Sequence, residues 1–198
     1  MYGFWLPNDP RGTWSDFVRR WEIAKFGKPL KRIERRELSE LTAEELRDRE
    51  AAKAALVYPP VKLSTEQGLT IAAGLQRQIA TSRYTLWACS ILPEHTHLVL
   101  ARHTYKVERM VNLLKGATTT EMIQVGNHPM KDYCLPDERP PRMWSAHQWK
   151  VFLDSEDAIR SAIAYVEENP EKEGLPRQHW PFVEPFSGIN TSAKIFYH

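Results

Sequence analysis

Cysteine is scarce. Cys89 and Cys134 are the only two in the chain, too few for a disulfide framework, and a reducing cytoplasm is the expectation that follows. Long hydrophobic runs are missing as well. No segment approaches the roughly 20 apolar residues that cross a bilayer, and none reads as a signal peptide. There is no internal repeat, which excludes solenoids and propellers. Charge of one sign is not in excess either. The formal net charge of +2 argues neither for nor against a nucleic-acid partner, because binding depends on where charge clusters.

What is present is the composition of an ordinary globular protein. The 198 residues are 42% hydrophobic and 26% charged, enough for one domain with a sizeable core. Seven tryptophans and seven tyrosines supply flat surfaces. Most are expected in the core, with a few left to stack on bases.

Along the chain, Tyr2 to Leu6 reads as a short strand, followed by the turn-rich "PNDPRG". Ser15 is placed to cap a helix over "SDFVRRWEIAKF". Residues 28–56 are dominated by charge. Thr42 and Glu45 form a capping box there, so a solvated helical insertion is expected. Thr65 to Ala80 reads as an amphipathic helix with Leu69, Ala72, Ala73, Gln76 and Ile79 on one face. "YTLWACSIL" (84–92) is a β-favouring run, Pro93-Glu94 breaks it, and "HTHLVLAR" is the return strand. A helix follows over Val107 to Ile123, its face made by Val107, Met110, Val111, Leu114 and Thr118. After a polar, proline-rich loop, "HQWKVFL" reads as a strand. Asp154 and Asp157 open a helix over 155–168, Pro170 ends it, and residues 171–198 form an irregular tail. Without the insertion this order is a βαββαβ unit with an added C-terminal helix. The expected fold is α+β: a ferredoxin-like (RRM-like) antiparallel sheet with helices on one face, in a single domain spanning 1–198.

The stretch "LPEHTHLVL" (92–100) carries the first chemical signal. Side chains alternate along a strand, so His95, His97 and Val99 point one way and Thr96, Leu98 and Leu100 the other, the second set towards the core. Two imidazoles so placed can converge on one metal ion, or can be polar residues on a solvated face. Zinc is not compelled, because no cysteine lies near and a catalytic zinc normally has three protein ligands. In the helix 155–168, Ile159, Ala162, Ile163 and Val166 make the apolar stripe. Tyr165 stands about 100° from its centre, and Asn169 one turn further on the same side. Taken singly, these are a boundary tyrosine and a helix-terminal amide ahead of proline.

Together, "LPEHTHLVL", "LLKGATTTEM" and "FLDSEDAIRSAIAYVEENPEKEGL", in that order after the opening "YGFWLPNDPRGTW", resemble the single-tyrosine HUH transposases. The likeness is to the REP-associated tyrosine transposases and runs over most of the chain. It implies that His95 and His97 hold a divalent ion, Mg²⁺ or Mn²⁺, that Asn169 completes the metal site, and that Tyr165 is the nucleophile. Glu94 stands where asparagine is common, Thr96 fills a usually hydrophobic slot, and the first strand is short. The activity implied is nicking and strand transfer on single-stranded DNA beside a hairpin, through a 5′-phosphotyrosine, by a monomer or homodimer in the cytoplasm and on the nucleoid. Lys115, Arg109 and Arg11 are candidate phosphate contacts. Trp5, Trp144 and Trp149 are candidate stacking platforms, although the core is the expected place for each. Two competing readings remain: a ferredoxin-like binder that recognises hairpins without cutting them, and a metallohydrolase in which water attacks.

Overall fold

Pro93 has no N–H to donate to a ladder, and the β-favouring run before it stops there. The result is a hairpin of β1 (Leu86–Ile91) and β2 (Thr96–Leu100), paired antiparallel. It belongs to a computed structural model that describes residues 1–4, 6, 9–10, 26, 36, 38–136, 138–146 and 148–189. The chain divides into two compact units. One comprises Met1–Gln67, Pro93–His95 and Met122–Trp149; the other comprises Gly68–Leu92, Thr96–Glu121 and Lys150–His198. The helices are α1 (Ala43–Ala54), α2 (Thr65–Ser82), α3 (Val107–Gln124) and α4 (Glu156–Lys172), with short 3₁₀ turns at Leu38–Glu40 and Lys131–Tyr133. The protein is α+β. Among the described residues the sheet has two strands, and no helix is long and apolar enough to cross a membrane.

The second unit holds the hairpin. Its register pairs Ala88 with Val99, Cys89 with Leu98, Ser90 with His97 and Ile91 with Thr96, and slips by one residue between Leu86 and Ala88. Directly opposed residues share a face. Ala88, Ser90, His97 and Val99 therefore lie on one side, and Cys89, Ile91, Thr96 and Leu98 on the other. Helix α4 packs across both strands. Its Val166 joins Ala88 and Val99 in a buried cluster, with Trp87, Leu153, Ala162 and Ile163 against it. Each fully buried aliphatic side chain there contributes roughly 1.5–3 kcal/mol. The histidine-bearing face is thus the one the helix covers. Val99 is buried while Leu98 is only half-buried, the reverse of the expected orientation.

Two details of α4 also depart from expectation. Its N-cap is Ser155, not Asp154: the Ser155 Oγ accepts from the Ala158 N–H at 3.2 Å. Pro170 does not end the helix, which continues to Lys172. The turn closes at Gly174, whose φ is +71°. The Leu175 N–H donates to the Pro170 carbonyl at 2.8 Å, and the Gly174 N–H donates to Glu171 at 3.0 Å, which satisfies the terminal carbonyls. Helices α2 and α3 approach closely at Gly74, where an added Cβ would lie 2.7 Å from the Thr118 Cα. The buried positions of α2 are accordingly Ile71, Ala72, Gly74, Leu75 and Ile79. Leu69, Ala73 and Gln76, expected on that face, are exposed. The expected face of α3 holds, with Met110, Leu114 and Thr118 buried.

Residues 173–189 have no regular structure, as expected of the tail, yet they are fastened to β1. The Gln178 amide donates to the Ile91 carbonyl at 2.8 Å and accepts from the Ile91 N–H at 2.8 Å. The Glu184 N–H donates to the Leu86 carbonyl at 2.8 Å. The tail thus runs antiparallel along the outer edge of β1. Phe186 then packs edge-on to Trp87, ring centroids 4.7 Å apart.

The first unit holds α1, opened by the expected capping box of Thr42 and Glu45. The 28–56 segment is not simply solvated. Ala52 packs with Leu6, Phe26 and Leu56, and buried Arg49 pairs with buried Asp9 at 3.1 Å. Two expected strands are absent from the described residues. Tyr2–Phe4 form a turn, because Gly3 sits at φ +73°, where an extended run is broken. In the second unit, residues 150–153 have no regular structure, and of these only Leu153 joins a buried cluster. Trp149, expected in the core, is exposed. The helix expected from Ser15 to Phe26 lies outside the described residues apart from Phe26, which stands in a turn. Arg11 and Trp5 also lie outside them.

Candidate nuclease site

Helix α4 brings Tyr165 to β2. Because the Ile159–Val166 stripe seats the helix on the Ala88–Val99 face, the position one residue before Val166 falls at the border of that contact. The Tyr165 ring meets the His97 imidazole edge-on there, centroids 5.7 Å apart and planes at 84°. Tyr165 remains 51% exposed, so its hydroxyl group is on a side chain accessible from solvent. The Lys172 ammonium lies 5.3 Å from the centre of the same ring and is tied to Glu168 at 3.0 Å. Helical spacing explains this, since positions i and i+7 are two turns apart on one face.

Asn169 continues the stripe three residues beyond Val166 and is buried, at 6% exposure. Its Nδ2 has no hydrogen-bond partner among the described residues. Half a turn about the terminal side-chain bond presents Oδ1 in its place, so the amide can offer an oxygen there as readily as an N–H. On β1, Ser90 stands opposite His97. It is fully buried, and its Oγ has no hydrogen-bond partner among the described residues.

The expected residues are not all gathered by the same contacts. His97, Tyr165 and Asn169 belong to the second unit. His95 belongs to the first, one residue before β2, with its ring stacked on Phe4 at 4.8 Å and 12°. No group of three His, Cys, Asp or Glu side chains able to hold a metal occurs among the described residues. Within the second unit the candidate donors are the His97 imidazole and the Asn169 carboxamide, groups of the kind that bind divalent ions. The unsatisfied Asn169 amide fits such a role.

The DNA-contact candidates fare unequally. Lys115 is half-buried on α3, and burial pushes its ammonium pKa down. Arg109, in the first turn of α3, is exposed, with its guanidinium 3.9 Å from the centre of the Tyr105 ring. Arg11 lies outside the described residues. Sequence reading missed Ser90 and Lys172. Lys172 was legible from its spacing to Tyr165. Ser90 needed the hairpin register, which the one-residue slip at Trp87 obscures from sequence.

No protein-family model matches this chain, and no match was found among curated proteins or solved structures.

Proposed function

We propose that this protein is a single-tyrosine DNA-nicking and strand-transfer enzyme of the kind its sequence resembles, built on a ferredoxin-like unit and acting on single-stranded DNA beside a hairpin. The observation that carries the reading is the meeting of Tyr165 with His97: a half-exposed phenol brought edge-on to an imidazole by a helix seated on that face of the hairpin.

In the reaction, the Tyr165 hydroxyl oxygen attacks a backbone phosphorus. A P–O bond forms to tyrosine and the P–O3′ bond breaks. The phenolic proton leaves to solvent, and the departing 3′-oxygen takes up a proton. The DNA is left with a free 3′-hydroxyl and a 5′-phosphotyrosine. Attack by another 3′-hydroxyl reverses the step and joins a new strand, with no nucleotide cofactor, because the ester conserves the bond's free energy. His95, His97 and Asn169 would hold Mg²⁺ or Mn²⁺. The ion would neutralise charge on the phosphoryl oxygens and orient the group. His97 also fixes the phenol ring's place through their edge contact. Arg109 and Lys115 would bind flanking phosphates.

A labelled hairpin oligonucleotide with a single-stranded flank, incubated with the protein and Mn²⁺, tests this. The expected result is a covalent protein–DNA adduct that resists denaturation, lost in Tyr165→Phe and His97→Ala. Cleavage that persists in Tyr165→Phe refutes the tyrosine mechanism. A gel shift without any adduct makes the protein a hairpin binder instead.

A further inference from the structure

The geometry points to Lys172 as the cation that binds the phosphate attacked by Tyr165, gripping a non-bridging oxygen of that group before and during the reaction. The inference rests on the nucleophilic role proposed for Tyr165 and adds a substrate contact to it. Three observations support it. The Lys172 ammonium lies over the face of the Tyr165 ring, 5.3 Å from its centre. Tyr165 and Lys172 are both more than half exposed, so an incoming strand meets them together. The ammonium is paired with Glu168 at 3.0 Å, and that carboxylate is also more than half exposed.

The placement follows from the helix. At about 100° per residue, Lys172 stands two turns beyond Tyr165 and about 20° from it, with Glu168 and Asn169 on either side of the line between them. One strip of α4 thus carries the phenol, the amide and the ammonium. The rest of this end of the helix is acidic. From Tyr165 to Glu173 the sequence holds Glu167, Glu168, Glu171 and Glu173, and Lys172 is its single cation. The next one, Arg177, is paired with Glu167 at 3.1 Å. A phosphate is repelled by these carboxylates and drawn to the ring by the one ammonium. Glu168 does not hold Lys172 firmly. An exposed i, i+4 pair of this kind shifts an equilibrium only about twofold. A phosphate oxygen offers the ammonium a charge-assisted hydrogen bond and can displace it. Lys172 keeps its proton throughout, and the bonds made and broken are those already given for Tyr165. A lysine that served only the helix C-terminus would complement its dipole, and the chemistry would be indifferent to its loss.

Two measurements test this. In the first, a hairpin oligonucleotide with a single-stranded flank is bound in EDTA, where nothing is cut, over a range of KCl concentrations. Lys172→Gln is expected to bind more weakly and to reduce the slope of log affinity against log salt by about 0.7–0.9, as for one lost phosphate contact. Lys172→Arg should keep the wild-type slope, and Glu168→Gln should bind at least about twofold more tightly. In the second, excess protein and Mn²⁺ give the single-turnover rate of adduct formation at saturating DNA. Lys172→Gln is expected to slow it about 10²-fold, and Lys172→Arg to restore most of the rate. The melting temperature of Lys172→Gln should stay within about 2 °C of wild type, since only an exposed pair is lost. An unchanged slope or an unchanged rate in Lys172→Gln, or a Lys172→Arg protein as slow as Lys172→Gln, overturns the inference while Tyr165 remains the nucleophile. If wild type forms no adduct, the nicking reading falls instead, and the slope alone then decides whether Lys172 holds a phosphate. A wild type that binds no hairpin refutes both.

Discussion

Two glycines inside helices make a paired prediction, because the same substitution should act in opposite directions. Gly74 of α2 and Gly116 of α3 both occupy helix interiors. Replacing an interior glycine with alanine gains about 1 kcal/mol in helix propensity. At Gly116 nothing lies within 4 Å of an added Cβ, so that gain is the whole effect. At Gly74 the new carbon would lie 2.7 Å from the Thr118 Cα, 3.1 Å from its N and 3.2 Å from the Ala117 carbonyl oxygen. These are backbone atoms, and relieving the overlap requires a helix to shift. Overpacking of this sort costs about 1–3 kcal/mol or more, which equals or exceeds the propensity gain. Gly116→Ala should therefore raise the melting temperature by roughly 2–4 °C, and Gly74→Ala, with a net loss of up to about 2 kcal/mol, should lower it by up to roughly 4–8 °C. Thermal denaturation of both variants beside wild type measures this. Trimming Thr118 to alanine should not rescue Gly74→Ala, because the overlap involves the Cα and N. Shifts of the same sign, or rescue by Thr118→Ala, would refute the close-approach argument.

Further outcomes follow from His128 and Gln178. His128 is buried, its Nδ1 accepts from the Met130 N–H at 3.1 Å, and burial pushes its pKa below the ordinary value. The folded protein therefore binds a proton there less readily than the unfolded chain, so His128 contributes stability above the unfolded pKa near 6.5, lost as pH falls through it. His128→Asn, which keeps an acceptor near Nδ1, should flatten the fall in melting temperature between pH 7.5 and 5; an unchanged slope contradicts the assignment. Gln178→Ala removes both bonds to Ile91, worth about 0.5–1.5 kcal/mol each. It should accelerate hydrogen exchange at the Ile91 amide while leaving exchange within α3 unaltered, and equal exchange at Ile91 would show that the tail does not cover that edge.

The hairpin, α3 and the apolar stripe of α4 were legible because each rests on a local signal: a proline break, a capping serine or a 3.6-residue period. The face of α2 was not. Its contact residue is Gly74, which carries no hydrophobic side chain for periodicity to register. The strand expected at Tyr2–Leu6 failed on a single residue, Gly3, whose positive φ turns the chain. The strand expected at 147–153 failed because β propensity states only that a segment fits a sheet, while pairing needs a neighbour at the right edge. At the candidate site, alternation sets the two histidines on one side of a strand and helical spacing sets Tyr165 beside Asn169, while their roles come from the resemblance. The partnership of Ser90 with His97 depends on a register that a bulge at Trp87 shifts, and that information is tertiary.

The strip from Gln178 to Glu184 behaves as a selvedge on the hairpin. An open strand margin is a template on which other chains can assemble. Here a glutamine side chain imitates a peptide group at one end, and a true peptide group binds at the other. A version of the protein ending before Gln178 would bare the Ile91 and Leu86 groups that this border occupies, and such a version should clump more readily than one that keeps it.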